Sequence, residues 1–141
     1  MKRTATAVWN GTGKEGKGNL TTQSGVLDTT SYSFAKRFGD EKGTNPEELI
    51  SAALAGCYTM KLSFMLDGAG ITAKEIKTTA TYIMEKEGGV WKSKGIHLDV
   101  TATIPGAGES SFKEIAVQAK SECPISQILN LSITIESRLI G

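Results

Sequence analysis

Hydrophobic and polar residues alternate in the first part of the chain. RTATAVWN shows this pattern, and KGNLTTQSGVL follows it after the glycine-rich connection GTGKEGKG. Alternation with a period of two residues is typical of a strand with one face turned toward a core. The connection lacks the spacing of a phosphate-binding loop. We therefore expect residues 3–34 to form an antiparallel meander.

The most apolar stretch begins with a clear helix start signal. Thr44 or Asn45 can cap this helix, and Pro46 suits its first position. Glu47 and Glu48 complement the positive end of the helix dipole. The sequence therefore predicts a helix that starts at Pro46.

This helix is expected to continue to about Leu66, and Gly68 or Gly70 can take the left-handed conformation that ends it. Apolar residues are not confined to one narrow stripe, which indicates that much of the helix is buried. Its first half also contains small residues that permit close approach of another element: Ser51, Ala52, Ala53, Ala55 and Gly56.

The remaining sequence predicts strands and then helices. EIKTTATYIMEKE and VWKSKGIHLDVTATIP form a hairpin around Gly88-Gly89. SSFKEIAVQAKSE follows as a helix capped by Ser110 or Ser111, ISQILN as a short helix after Cys123-Pro124, and LSITIESRLI as a last strand. Runs of strands and helices favour an α+β fold with an antiparallel sheet.

Composition narrows the class of protein. The chain has 141 residues, which predicts a single domain over residues 1–141. Its 16 basic and 15 acidic residues nearly cancel, which argues against a nucleic-acid partner. We see no signal peptide and no apolar run approaching the roughly 20 residues of a membrane span. We therefore expect a cytoplasmic protein, in which cysteine pairs tend to be catalytic or redox-active.

The two cysteines, Cys57 and Cys123, lack the spacing of a redox or zinc motif. With the single histidine, His97, they make a poor set of ligands, so we expect no metal site and no cofactor. Cys123 precedes Pro124 and can cap the following short helix, where free backbone N–H groups favour a thiolate.

Cys57 lies in the middle of the long helix and needs a separate positive group to lower its pKa. Lys36 and Arg37 are the candidates before the helix, and Glu47 or Glu48 could hold the arginine in place. The same residues also have ordinary interpretations, since two glutamates in a first helical turn complement the dipole and Arg37 fits a surface charge.

Three stretches carry a resemblance to a known family: ATAVWNGTGKEGKGNLTTQSGVL, RFGDEKGTNPEELISAALAGCYTM and ECPISQIL. In order and spacing the chain resembles the family of osmotically inducible protein C and organic hydroperoxide resistance proteins, and within it the OsmC branch. The resemblance implies an OsmC-like α+β fold with antiparallel sheets around a long central helix. It also implies an intertwined homodimer with two equivalent sites near the subunit interface.

The resemblance also implies a thiol-dependent peroxidase. Cys57 would attack organic hydroperoxides, and more weakly hydrogen peroxide, to form a sulfenic acid. Cys123 would resolve it as an intramolecular disulfide, which a dithiol such as a lipoyl group would reduce. Arg37 would stabilise the thiolate and polarise the peroxide, and Glu47 would orient Arg37. The physiological role would be defence against oxidative and osmotic stress.

An apolar pocket would favour organic peroxides over hydrogen peroxide. The residues that we expect to line it are Phe34, Phe38, Met60, Phe64 and Ile125, although each also fits a plain core position. Two other functions remain open. The protein could be a non-catalytic dimeric binding protein with cysteines as core filler, or a cysteine-dependent hydrolase with His97 as base.

Overall fold

The computed structural model describes residues 1–141, which divide into two compact units, Met1–Leu49 and Ile50–Gly141. The strands are β1 Ala5–Asn10, β2 Lys17–Thr22, β3 Thr30–Ser33, β4 Glu75–Glu87, β5 Val90–Thr103 and β6 Ile133–Ile140. The helices are α1 Phe34–Phe38, α2 Pro46–Gly68, α3 Glu109–Glu122 and α4 Pro124–Ile128. The prediction of a single domain over residues 1–141 stays a prediction.

The first unit contains the predicted antiparallel meander. Its three strands are ordered β1-β2-β3, and both neighbouring pairs are antiparallel. The sequence did not predict α1, whose single turn is too short for a periodic pattern. Ser33 caps α1, since its hydroxyl accepts a hydrogen bond from the Lys36 backbone N–H at 3.2 Å.

The ends of α2 agree with the sequence signals. Asn45 Oδ1 accepts a hydrogen bond from the Glu48 backbone N–H at 2.8 Å, so Asn45 rather than Thr44 caps the helix. Gly70 has a φ of 73°, the left-handed conformation expected just past a helix end. The predicted end near Leu66 is short by two residues, because the helix continues to Gly68.

The second unit contains a mixed sheet ordered β4-β5-β6. The predicted hairpin joins β4 and β5, and the φ values of Gly88 and Gly89, 58° and 84°, suit its tight turn. β6 pairs with β5 in parallel, so the prediction of a wholly antiparallel sheet is wrong for this pair. Alternation identifies a strand, but it does not fix the direction in which that strand joins a sheet.

One core lies within the second unit, between α2, β5 and α3. From α2, residues spaced four apart are buried, and the core-facing residues of β5 alternate as a half-buried strand requires. α3 contributes the helical spacing predicted from the sequence. The buried side chains are Leu54, Tyr58, Leu62, Leu66, Ile96, Leu98, Val100, Ala102, Ile104, Phe112, Ala116, Ala119 and Cys123.

Two details of the helices differ from expectation. The residue that caps α3 is Gly108, and it makes no side-chain cap, so Ser110 and Ser111 lie inside the helix. By length and composition α2 could cross a membrane, so the statement that no apolar run approaches that length is wrong. Core helices of water-soluble proteins pass the same test, and one stripe of α2 is buried against β5 and α3.

Candidate active site

The two cysteine thiols lie in contact within the second unit. Their sulfur atoms are 3.1 Å apart, and both cysteines are free. A disulfide bond would measure about 2.05 Å, so this is a contact between unbonded atoms. Cys57 on α2 is half-buried, whereas Cys123 is buried. The fold therefore brings together two thiols that are far apart in the sequence.

The break between α3 and α4 positions Cys123. Pro124 excludes helical geometry at the residue before it, and Cys123 accordingly has an extended backbone with φ −66° and ψ 121°. Its carbonyl accepts a hydrogen bond from the Gln127 backbone N–H at 3.1 Å, as the residue that caps α4 does. The predicted cap position of Cys123 is confirmed, although its side chain makes no regular capping hydrogen bond.

Two further contacts join α2 to α3 beside the cysteines. The buried Tyr58 hydroxyl donates a hydrogen bond to the Ala116 carbonyl at 3.1 Å, and burial, followed by the charge of Cys123, raises the pKa of Tyr58. Lys61 Nζ lies 2.7 Å from Glu122 Oε2. Tyr58 follows Cys57 in the chain and Glu122 precedes Cys123, so each contact involves a direct neighbour of one cysteine and helps to hold the two sulfur-bearing segments together.

The surroundings of the two sulfurs shift their pKa values in opposite directions. Burial, followed by the Cys123 thiol, raises the pKa of Cys57 and outweighs the backbone N–H of Ile125. Burial also acts to raise the pKa of Cys123, but the pKa is lowered by neighbouring polar groups. These are the Cys57 thiol, the backbone N–H and hydroxyl of Ser126, and the backbone N–H of Ile125. The surroundings therefore favour the thiolate form of Cys123 over that of Cys57.

Arg37 and Glu47 form a close ion pair within the first unit. Arg37 Nε lies 3.0 Å and 3.1 Å from the two carboxylate oxygens of Glu47, and Nη2 lies 2.5 Å from Oε1. Lys36 instead lies 3.9 Å from Glu41. Of the alternatives that the sequence left open, the structure thus pairs Arg37 with Glu47, at the first turn of α2.

Phe34 and Phe38 line a pocket of about 230 Å³ within the first unit. Their ring centroids are 5.0 Å apart, and the Arg37 guanidinium carbon lies 4.8 Å from the Phe38 ring centroid. The remaining lining residues are Trp9, Gly13, Tyr32, Ser33, Arg37 and Pro46.

Trp9 and Tyr32 also line this pocket, although the sequence did not predict them there. Their rings lie 5.3 Å apart on opposite sides of Gly18, and a Cβ atom at Gly18 would collide with both rings. Large aromatic side chains are few in this chain, at 6% of residues. Their presence on two strands of one meander was the signal that could have identified them.

The other three predicted pocket residues lie in different surroundings. Met60 and Phe64 are exposed on α2, at 62% and 69% of their surface, and Met60 lines an open groove with Thr78 of β4. Ile125 is half-buried against the core, and its backbone N–H reaches both sulfurs. Of these three predicted pocket residues, Ile125 is therefore the residue that lies beside the two thiols.

His97 does not share the surroundings of the cysteines. Successive strand residues point to opposite faces of a sheet, and its neighbours Ile96 and Leu98 are buried in the core that contains Cys123. His97 therefore points to the other face, where its Nδ1 lies 2.8 Å from Thr134 Oγ1. This geometry gives no support to a hydrolase with His97 as base.

An α+β fold that holds two free thiols in contact, one on a central helix and one at a helix break, defines a thiol redox protein. The sequence model of the family described as OsmC-like protein matches residues 39–138. The chain belongs to the OsmC family, as the motifs around both cysteines predicted.

Named relatives agree with this assignment. The chain is 45% identical to Peroxiredoxin OsmC of Escherichia coli K12 over 133 residues, which covers 94% of this chain and 93% of that protein. It is 27% identical to organic hydroperoxide resistance protein OhrA of Bacillus subtilis over 100 residues, covering 68% of each chain. The OsmC branch is therefore the more similar of the two, as expected.

Solved structures confirm the fold. The crystal structure of an OsmC-like protein from Mycoplasma pneumoniae matches with a TM-score of 0.77 at 19% identity, covering 100% of this chain and 99% of that chain. At that identity the likeness concerns the fold alone.

The opposite pKa shifts lead to a prediction for Cys123→Ala. Removing the Cys123 thiol abolishes two of the influences that raise the pKa of Cys57, so this pKa is expected to fall. The pH midpoint of Cys57 alkylation by iodoacetamide, followed by mass spectrometry on the reduced protein, should move to lower pH. Ser121→Ala, at the same end of α3, serves as the control and should leave the midpoint unchanged. A midpoint that rises in Cys123→Ala would contradict the described coupling.

Proposed function

We propose that this chain is a cysteine-based peroxidase that reduces organic hydroperoxides through a disulfide between Cys57 and Cys123. The observation that supports this best is the sulfur contact of 3.1 Å between two free thiols. A shift of about 1 Å suffices to form the bond. A non-catalytic binding protein, in which the cysteines only fill the core, would not require contact between the two thiols.

The enzyme class is confirmed by the relatives. The protein that shares 45% identity over nearly the whole chain is named a peroxiredoxin, and the OhrA relative is named for organic hydroperoxide resistance.

In the first step the Cys57 thiolate attacks the terminal oxygen of the hydroperoxide. The S–O bond forms, the O–O bond breaks, and the alkoxide leaves as an alcohol after taking up one proton. Cys57 becomes a sulfenic acid and is oxidised by two electrons. Since Cys57 on α2 is half-buried while Cys123 is buried, Cys57 is the sulfur that a peroxide can reach.

In the second step Cys123 attacks the sulfenic sulfur. The S–S bond forms, the S–O bond breaks, and hydroxide leaves as water after protonation. An external dithiol then reduces the disulfide by two successive thiol exchanges and leaves as its own disulfide. A lipoyl group fits this chemistry, because its two thiols close a ring.

The first step needs a positive group at Cys57, because burial and the Cys123 thiol raise its pKa. We propose that Arg37 supplies this charge and polarises the peroxide, with Glu47 fixing the guanidinium by the observed two-point ion pair. Arginine remains charged in almost any setting, so it can serve at an apolar site where a lysine could lose its proton.

An apolar pocket beside the arginine would select organic over hydrogen peroxide. Phe34 and Phe38 are the predicted lining residues that form a pocket with Arg37. We propose that their aromatic surface binds the organic substituent, and that the protein acts in the cytoplasm in defence against oxidative and osmotic stress. Met60, Phe64 and Ile125 remain predictions as substrate contacts.

We further propose that the protein is a homodimer formed through α2. The α2 face opposite the buried stripe is exposed in the single chain and carries Ala53, Gly56, Met60 and Phe64 at helical spacing. Small residues next to large exposed apolar ones suit close packing against a second copy of the same helix.

A thiol titration tests the peroxidase. One equivalent of cumene hydroperoxide should consume both free thiols of each reduced chain, without cross-links between chains on a non-reducing gel. Cys57→Ser should consume no peroxide, because the attacking sulfur is missing. Cys123→Ser should allow one oxidation but no turnover with a dithiol. Unchanged thiol counts at micromolar peroxide would instead favour a non-catalytic binding protein.

Arg37→Ala tests the proposed positive group. The pKa of Cys57 should rise, and peroxide consumption in the first turnover should slow on the order of a hundredfold, as on loss of one charge-stabilising donor. Arg138→Ala, which removes an arginine paired with Asp99, is the matched control and should leave the rate unchanged. Equal first-turnover rates and equal pH profiles for wild type and Arg37→Ala would refute the role of Arg37.

Phe64→Asp tests the dimer. A carboxylate on the apolar face of α2 should destabilise the association, because both copies would bury the charge at a symmetric interface. Sedimentation equilibrium should then show a monomer, whereas the wild type shows a dimer. Val117→Asp, a similar change at an exposed position of α3, should remain dimeric. A wild-type monomer at micromolar concentration would refute the proposal.

A further inference from the structure

We propose that the Ser126 hydroxyl stabilises the negative charge on the Cys123 sulfur, both when this sulfur attacks and when it leaves. The inference rests on the proposed disulfide chemistry and adds a residue to it. Ser126 lies three positions after Cys123, in the first turn of α4.

The first observation concerns an unused hydrogen-bonding group. Ser126 Oγ is buried and makes no regular hydrogen bond, a state that it shares with only Thr44 Oγ1 among the buried side-chain oxygens. A buried hydroxyl without a partner costs free energy and requires an explanation. The cost is explained if the hydroxyl gains a hydrogen bond when a neighbouring group becomes charged.

The second observation identifies that neighbour. Cys123 is the residue that caps α4, three positions before Ser126, and the Ser126 hydroxyl acts to lower the pKa of Cys123 together with the backbone N–H groups of Ile125 and Ser126. A neutral thiol is a weak acceptor, whereas a thiolate is a strong one. The Ser126 hydroxyl therefore makes no regular hydrogen bond while Cys123 is a thiol, and we expect it to donate one when Cys123 is a thiolate.

This arrangement matters because Cys123 is buried. A buried sulfur has little water to solvate its charge, so the protein must supply the donors. The Cys57 thiol, the other side chain that lowers the pKa of Cys123 by hydrogen bonding, no longer exists once Cys57 has become a sulfenic acid that must accept the attack. Ser126 then remains as the side-chain donor for the attacking thiolate.

The same hydroxyl acts when the disulfide is reduced. An incoming dithiolate attacks the half-buried Cys57 sulfur, a new S–S bond forms, and the old one breaks. The electron pair of the broken bond stays on Cys123. A thiolate of lower pKa leaves faster, so a donor at Cys123 assists this step as well.

Ser126→Ala tests the proposal in a single turnover. Reduced protein is mixed with one equivalent of cumene hydroperoxide and quenched with dimedone, and mass spectrometry separates Cys57 sulfenic acid from disulfide. Sulfenic acid should form at an undiminished rate. Disulfide formation should be about tenfold slower at pH below the Cys123 pKa, the effect of one lost hydrogen bond to a charged group.

The pH profile separates charge stabilisation from simple misplacement. Removing the donor raises the pKa of Cys123, so the midpoint of disulfide formation should move up by about one pH unit. Above both midpoints the sulfur is ionised in both proteins, and the two rates should converge. Reduction of the preformed disulfide by dithiothreitol should also slow in Ser126→Ala.

Two control variants complete the experiment. Ser126→Thr retains the hydroxyl and should restore the wild-type midpoint, whereas Ser121→Ala removes an exposed hydroxyl at the end of α3 and should change nothing. An unshifted midpoint in Ser126→Ala, or a slowing by the same factor at every pH, would overturn the proposal. Absence of any disulfide in the wild type would instead overturn the proposed function.

Discussion

The contact between the Cys57 and Cys123 sulfurs is the constraint on which the proposed chemistry of this protein depends. It requires a rigid element on one side and an interrupted one on the other. α2 supplies the rigid element, because one stripe of it is buried against β5 and α3. Pro124 supplies the interruption, since it ends α3 at Cys123 and turns the chain into α4. A continuous helix through this point would lack the extended backbone that Cys123 has at the break.

Two thiols in contact compete for one negative charge. Their surroundings raise the pKa of Cys57, the sulfur proposed to attack the peroxide, and lower the pKa of Cys123. Cys57 lies in mid-helix, where no free backbone N–H points at its side chain, except that of Ile125 from α4. Cys123 has the donors of α4. The lowered pKa of Cys123 favours the proposed attack on the sulfenic acid, whereas the raised pKa of Cys57 disfavours the proposed attack on the peroxide. A positive group is therefore a physical requirement of the proposed mechanism, and the proposal assigns this role to Arg37, which pairs with Glu47.

Local signals in the sequence predicted the elements well, and long-range arrangement poorly. Asn45, Pro46 and the glycines after α2 define that helix through the chemistry of capping, which acts within a few residues. The parallel pairing of β6 depends on where the chain returns after α4, and alternation contains no such information. For the same reason the residue chemistry left the cysteine contact open, and resemblance to a family was needed to expect it. Trp9 and Tyr32 meet across Gly18 only because of strand register.

The two faces of α2 show why a single buried stripe does not account for its whole composition. Leu54, Tyr58, Leu62 and Leu66 explain the four-residue period, and they are buried within one chain. Met60 and Phe64 lie exposed beside small residues, although a helix with only one buried face would normally carry polar residues there. Because α2 has almost no polar face, its sequence predicted that much of the helix is buried. A second copy of the chain that covers this face would reconcile that pattern with the exposure of Met60 and Phe64.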